Sequence, residues 1–302
     1  MIAHPFWRAV AQHISVVIGD PYTIQNVRGV GGGSINSAYQ VTGRRANHPQ
    51  DYFVKCHQTS HLAMFEAEAA GLLALAATQT VRVPQPICWG SQDEQAYLVL
   101  EYLALGSLKA DTAVQLGNQL AALHRHHHTQ FGWHRHNTIG STPQINTWRD
   151  SWVDFYRDHR LGYQGQLAQK QGFMGENLSR RFQPLLERLG DFFVDYQPQA
   201  SLLHGDLWSG NYGCTEEGDP VIFDPAPYYG DRESDLAMTE LFGGFPADFY
   251  RAYQTTYPLD VGYRRRQPLY QLYHLFNHLN LFGGSYLGQV NHCLEKCWQG
   301  LI

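Results

Sequence analysis

Long apolar runs are missing from this chain of 302 residues. The longest clear one, "LLALAA" at 72–77, is far short of the roughly 20 residues that cross a bilayer. The opening "MIAHPFWRAV" lacks the basic-then-apolar order of a secretory signal. Charged residues make up only 16% of the chain and sum to a net charge of -5, which argues against a general nucleic-acid binder with its basic patch. Cysteines are scattered and odd in number, at 56, 88, 214, 293 and 297. Cys293 and Cys297 stand one helical turn apart, yet no second pair completes a zinc site, so buried or free thiols are expected. A cytoplasmic protein with no membrane and no nucleic-acid partner is the expectation. The sequence does not fix the oligomeric state.

Two hydrolytic signatures are absent as well. G-x-S-x-G does not occur, "GGSYLG" at 283–288 missing it by one residue. A binuclear metallohydrolase would want an upstream D-x-H, and the chain has none. The histidine-rich "LHRHHH" (123–128) has no carboxylates at ligand spacing, and is expected to be a helix end with solvated or capping histidines.

What is present is 43% hydrophobic residues, enough for one large domain or two lobes. Residues 23–42, "TIQNVRGVGGGSINSAYQVT", read as two strands around a glycine-rich turn, and "DYFVKCH" (51–57) as a third strand. "LAMFEAEAAGLLALAA" (62–77) reads as a helix, and "VPQPICWG" and "AYLVLEYL" as two further strands. From about residue 111 helical patterns dominate, at 111–127, 147–169, 177–195, 234–254 and 263–282. A loop and short hairpin interrupt them at 201–224. The seam near "LALGS" (103–107) divides a strand-rich unit, 1–103, from a helical one, 104–302.

Three polar groups stand out. "HGDLWSGN" (204–211) spaces Asp206 and Asn211 as D-x-x-x-x-N, and Asp224 follows the apolar "VIF". In phosphoryl transfer the first Asp accepts the proton of the attacking hydroxyl, while Asn and the second Asp hold magnesium through hard oxygens. Lys55 stands inside a strand of β-formers and can reach nucleotide phosphates if a helix carboxylate fixes it. Glu66 and Glu68 are the candidates, and Glu68 is preferred because Leu72 and Leu75 continue its stripe. The glycines of "GVGGGSINSAY" (29–39) permit close backbone approach to phosphates, though the stretch fits neither G-x-G-x-x-G nor the Walker pattern. Each signal alone is weak. Their order, from glycine hairpin through strand lysine and helix glutamate to loop and aspartate, is that of a kinase.

"LLHGDLWSGN", "FDPAPYYGDRESDLAM" and "LFGGFP" resemble the fructosamine kinase (ketosamine kinase) family, allied to the aminoglycoside phosphotransferases. "STPQINTW" and "LYQLYHLFNHLNLFGGSYL" extend the resemblance over nearly the whole chain. It implies an α+β, bilobal protein-kinase-like fold and ATP-dependent phosphorylation of the sugar 3-hydroxyl of ketosamines. The acceptor would be a small-molecule or protein-bound ketosamine, in deglycation. By the same resemblance Asp206 is the catalytic base, and Asn211 and Asp224 bind Mg2+. Lys55 and Glu68 anchor phosphates, Gly31, Gly32, Gly33, Ser34 and Asn36 cover them, and Glu101, Tyr102 and Leu103 form the adenine hinge. The alternative is a kinase for another hydroxylated metabolite, an aminoglycoside or amino alcohol. Two departures from protein kinases stand in the sequence: Gly205 replaces the arginine of H-R-D, and Pro225–Ala226 replaces Phe-Gly. A constitutively competent enzyme is expected. Cys56, next to Lys55, is the thiol expected nearest the site.

Overall fold

The computed structural model describes residues 4–31, 35–107 and 109–301. It is a mixed α/β chain that divides into two units, 1–107 with 213–223, and 108–212 with 224–302. The segment 213–223, which a single cut at 103/104 leaves with the helices, belongs to the first unit.

The first unit is built on β1 (Tyr22–Val30), β2 (Ser37–Arg45), β3 (His48–Gln58), β4 (Pro86–Gln92) and β5 (Gln95–Glu101). They form one antiparallel sheet in the order β1-β2-β3-β5-β4. Two helices belong to this unit, α1 (Pro5–Ile18) and α2 (Leu62–Ala77). The sequence reading has no α1, although its signals are local. His4 caps it by accepting from the Phe6 N–H, Pro5 sits in the first turn, and Gly19 closes it at φ 72°. Phe6, Trp7, Val10 and Ile14 make one buried face. That face joins Tyr22, Val41, Tyr52, Val54, Cys56, Tyr97 and Val99 in a single core. Strand side chains alternate between faces, so Lys55 must point away from the core that takes Val54 and Cys56. On that other side it meets α2, as described below.

The second unit contains α3 (Ala110–Leu123), α4 (Trp152–Tyr156), a π turn (Arg157–Leu161), α5 (Gly162–Lys170), α6 (Glu176–Glu187), α7 (Glu233–Thr239), α8 (Ala247–Thr256), α9 (Tyr263–Phe282) and α10 (Leu287–Gln299). Its short strands are β6 (His127–His128), β7 (Asn137–Ile139), β8 (Thr142–Gln144), β9 (Ala200–Leu202) and β12 (Tyr229–Gly230), whereas β10 (Tyr212–Cys214) from Gly213 on and β11 (Pro220–Ile222) belong to the first unit. β9 pairs with β6 and β12, β7 with β8, and β10 with β11.

Helix boundaries differ from the sequence reading where turn chemistry intervenes. The pattern at 234–254 is two helices, because Gly243 and Gly244 take φ of 85° and 74° and Pro246 follows. The pattern at 147–169 starts at Trp152, where Ser151 caps by accepting from the Asp154 N–H. α10 and the β7–β8 hairpin are absent from the sequence reading.

Trp7 is 6% exposed and stacks edge-on to Phe6 and Tyr39. Trp7→Ala is expected to cost about 3–5 kcal/mol in urea unfolding, whereas Val16→Ala, on the exposed side of α1, should stay within about 0.5 kcal/mol.

Candidate active site

In the first unit, Lys55 lies across from Ala38 on β2, which itself pairs with Val30 at the end of β1. Lys55 therefore sits level with the mouth of the glycine-rich turn. Its Nζ meets Glu68 Oε1 at 2.6 Å, with the two side chains only 7% and 11% exposed. Glu68 is set by α2, whose Leu72 and Leu75 are fully buried one and two turns on. Of the glycine turn, Gly31 is exposed with open space where a Cβ would stand, and Asn36 Oδ1 is buried without a hydrogen bond. Gly32, Gly33 and Ser34 lie outside the described residues. Glu101 ends β5, and its carboxylate takes Arg82 at 2.5 Å and the Gln85 N–H. That carboxylate is engaged, so any contact with a base at Glu101 to Leu103 would run through main-chain groups. Cys56 is next to Lys55 in sequence but on the opposite face, and burial pushes its thiol up to about 12. The expectation that this thiol neighbours the site is corrected: it is a core residue.

In the second unit, the loop 204–211 is held by a carboxylate that sequence reasoning missed. Asp235 Oδ2 accepts from the His204 N–H at 2.7 Å and Oδ1 from the Gly205 N–H at 2.8 Å. His124 completes the set, its Nε2 lying 3.1 Å from Asp235 Oδ2 and its Nδ1 2.8 Å from the Tyr253 hydroxyl. Arg232 donates to that hydroxyl at 3.1 Å, so the hydroxyl proton turns to Nδ1 and Nε2–H faces the carboxylate. Burial, opposed by Asp235, lowers the His124 value. Burial works against Asp235 too, but the His124 hydrogen bond and the loop amides hold its carboxyl below the usual range. His124 is thus a buried structural group, not the solvated or capping residue expected of "LHRHHH", whereas His126, His127 and His128 are exposed. Asp235 lies in "ESDLAMT", a helix buried at every position, where a charge must have partners.

Gly205 adopts φ 84°, and a Cβ there would stand 2.0 Å from the Ala226 carbonyl oxygen. No other residue fits that place. Asn211 Nδ2 donates to the Asp206 carbonyl at 2.9 Å, and its Oδ1 is an acceptor. Asp224 takes φ 56°, a costly conformation for a non-glycine residue. Burial, then the charges of Asp224 and Asp235, push the Asp206 carboxyl up to about 7, against a lowering hydrogen bond from Asn211. The Asp206 and Asp224 carboxyls, with the Asn211 amide oxygen, form a hard-oxygen donor set of the kind magnesium prefers. Among the described residues no group of three or more His, Cys, Asp or Glu could hold a metal, so a cation here would need ligands beyond the protein's acids.

Aromatic side chains flank the loop. Trp208, 36% exposed, lies edge-on to Phe242, and Phe242 packs against His278 at 4.6 Å. His278 also contacts Phe282 and Tyr286. Its Nδ1 donates to the His274 carbonyl at 2.8 Å, and burial lowers its value. The neutral ring therefore offers Nε2 as an acceptor.

The raised Asp206 carboxyl has a stability consequence. Between the ordinary value of 3.8 and about 7, the folded chain holds a proton that the unfolded chain has lost, so stability falls as pH rises through that window. Without nucleotide or metal, Asp206→Asn should melt higher than the unchanged protein above about pH 7. The gain should shrink as pH falls and vanish near about pH 4; equal melting temperatures at every pH would contradict the raised value.

A family model described as fructosamine kinase matches residues 6–300. A "Probable ketoamine kinase" of Synechocystis sp. is 50% identical over 292 residues, covering 96% of each chain. The crystal structure of a "Putative fructosamine-3-kinase" from Haemophilus somnus superposes with a TM-score of 0.88 at 29% identity, covering 97% of both chains. An aminoglycoside phosphotransferase solved with streptomycin and ATP shares the fold, with a TM-score of 0.63 at 14% identity over 100% of each chain. The chain therefore belongs to the fructosamine kinase family of ATP-dependent phosphotransferases.

Proposed function

We propose that this kinase transfers the γ-phosphate of ATP to the sugar 3-hydroxyl of ketosamines, fructosyl or ribulosyl, free or on protein lysines, in deglycation. The observation that carries the reading is Asp206. It is held rigidly through Asp235 and Asn211, and its carboxyl is raised to about 7, within reach of the proton it must take at neutral pH. In this reading Asp206 accepts the proton as the acceptor oxygen bonds to the γ-phosphorus and the bond to the departing diphosphate breaks. ADP leaves, and the proton returns to water.

The remaining roles follow from the donor types. Lys55, fixed by Glu68, neutralises phosphate charge. Gly31 and Asn36, with Gly32, Gly33 and Ser34, cover the phosphates. Tyr102 and Leu103 meet adenine through main-chain groups. Asn211 Oδ1 and the Asp224 carboxylate hold Mg2+, which when bound neutralises developing charge on the transferring phosphate. A cation there would also relieve the repulsion between Asp206 and Asp224, lowering the Asp206 value.

The acceptor class is supported by what flanks Asp206. Trp208, Phe242 and neutral His278 suit sugar faces and hydroxyls, whereas a polycationic aminoglycoside calls for a dense acidic wall. ADP release is therefore expected with ribulosyl- or fructosyl-lysine analogues, with glucose, choline and kanamycin poor. Asp206→Asn should lower turnover about 10²–10⁴-fold with ATP binding retained. Robust turnover of an aminoglycoside with none on any ketosamine would move the enzyme to the other acceptor class. Lys55→Ala and Glu68→Ala should each impair turnover, and the double variant should lose far less than the sum, since both act on one phosphate contact. Fully additive losses in that cycle would separate the two residues.

A further inference from the structure

Asp224 is followed by Pro225, Ala226 and Pro227. Two of these three residues have no N–H, so the segment cannot tie itself down through a strand ladder. Its carbonyls must find donors elsewhere if they are to be buried. They find them on the β7–β8 hairpin, in the stretch "NTIGSTPQIN" that the catalytic reading leaves without a role. Gln144 Nε2 donates to the Ala226 carbonyl at 2.9 Å, and Asn137 Nδ2 to the Pro227 carbonyl at 2.9 Å. Asn137 and Gln144 are cross-strand partners, so two adjacent amides read two consecutive carbonyls.

The two amides are themselves fully fixed. Gln144 Nε2 also donates to Asn137 Oδ1 at 2.9 Å, and Gln144 Oε1 accepts from the Tyr273 hydroxyl at 2.7 Å. Asn137 Oδ1 takes a second bond from Asn146 Nδ2 at 2.8 Å. Asn146 Oδ1 accepts from Arg160, whose guanidinium lies 4.0 Å over the Tyr228 ring. Gln144 is 1% exposed and Asn146 and Arg160 fully buried. Such a network is costly in a core where a member is left short, as Arg160 Nε is here, and its two amides are aimed at one stretch of backbone. The Ala226 N–H goes to the His204 carbonyl at 2.9 Å, and its carbonyl oxygen lies against Gly205. The Ala226 peptide is therefore pinned between the loop that carries Asp206 and the amide of Gln144.

We propose that Gln144 and Asn137 are positioning residues that hold Asp224 in its left-handed conformation, setting its carboxylate for the metal without any modification of the following segment. The proposal rests on the reading of Asp224 as a metal ligand. Loosening the amides lets the Asp224 backbone relax toward ordinary φ, which moves the carboxylate from its place near Asp206.

The test compares ADP binding by calorimetry with and without Mg2+ in the unchanged protein, Gln144→Met, Asn137→Ser and Asp224→Asn. Gln144→Met keeps length and volume but removes the donors. Substitution of groups that orient metal ligands typically costs 10–100-fold in metal affinity, so Gln144→Met should weaken the Mg2+-dependent part of binding about 10-fold. Metal-free ADP binding should be unchanged. Asn137→Ser, a milder cut that keeps a hydroxyl donor, should shift the same quantity in the same direction and covers the case in which Gln144→Met does not fold. If Asp224→Asn abolishes the Mg2+ dependence while both amide variants retain it in full, the positioning role is overturned and the metal reading stands. Equal losses with and without Mg2+ in the amide variants overturn it too, since they mark general loosening. An Asp224→Asn variant with normal Mg2+ dependence overturns the metal reading and this inference together.

Discussion

Asp235 can carry its charge inside α7 because three donors converge on it: the N–H groups of His204 and Gly205 and the imidazole of His124. A buried carboxylate without them would cost several kcal/mol or take up a proton. With them it becomes a fixed anchor for a loop that has no ladder of its own. Everything the loop presents, Asp206 at one end and Asn211 at the other, inherits its position from that anchor. The chain of donors runs outward through Tyr253 to Arg232, so the loop 204–211 is referenced to α3, α7 and α8 at once.

The same short stretch places two more acids in the core. Glu233 forms a two-pronged pair with Arg266, which also holds Asp260, and Asp231 accepts from Tyr196 and Tyr270. Burial and the neighbouring Asp231 raise Glu233 to about 8 even against Arg266. Buried pairs of this kind add little net stability, but cutting one partner is expensive because it strands the other. Their value here is geometric. They fix α7 against α9, and α7 carries the anchor.

Much of this was legible in the chain. The strands at 23–42 and 51–57, the helix at 62–77 and the pairing of Lys55 with Glu68 follow from β-formers, a helical stripe and one unusual lysine. The long α9 was legible for the same reason, since its pattern has no internal stop beyond Pro268 near its start. What escaped was set by contacts distant in sequence. His124 looks like part of a solvated histidine run until Asp235, far along the chain, reaches it. Gln144 and Asn137 sit in a polar, proline-bearing stretch that reads as loop, and their partners are the carbonyls of 226 and 227. Cys56 misled for the opposite reason. Adjacency in sequence means opposite faces in a strand, so the neighbour of Lys55 belongs to another core.

Gly205 shows how one such contact shapes the whole site. Protein kinases carry an arginine at that place in H-R-D, where it serves a phosphorylated segment. Here φ is 84° and the Ala226 oxygen occupies the space of a Cβ, so no side chain of any kind can stand there. The loop and the segment after Asp224 are packed backbone to backbone, closer than an intervening side chain would allow. A segment held at that distance has no slack for an order–disorder switch. Its order has to come from fixed neutral donors. The left-handed Asp224, the paired prolines and the glycine before Asp206 are then parts of a single arrangement, bonded through the Ala226 peptide and the Pro227 carbonyl.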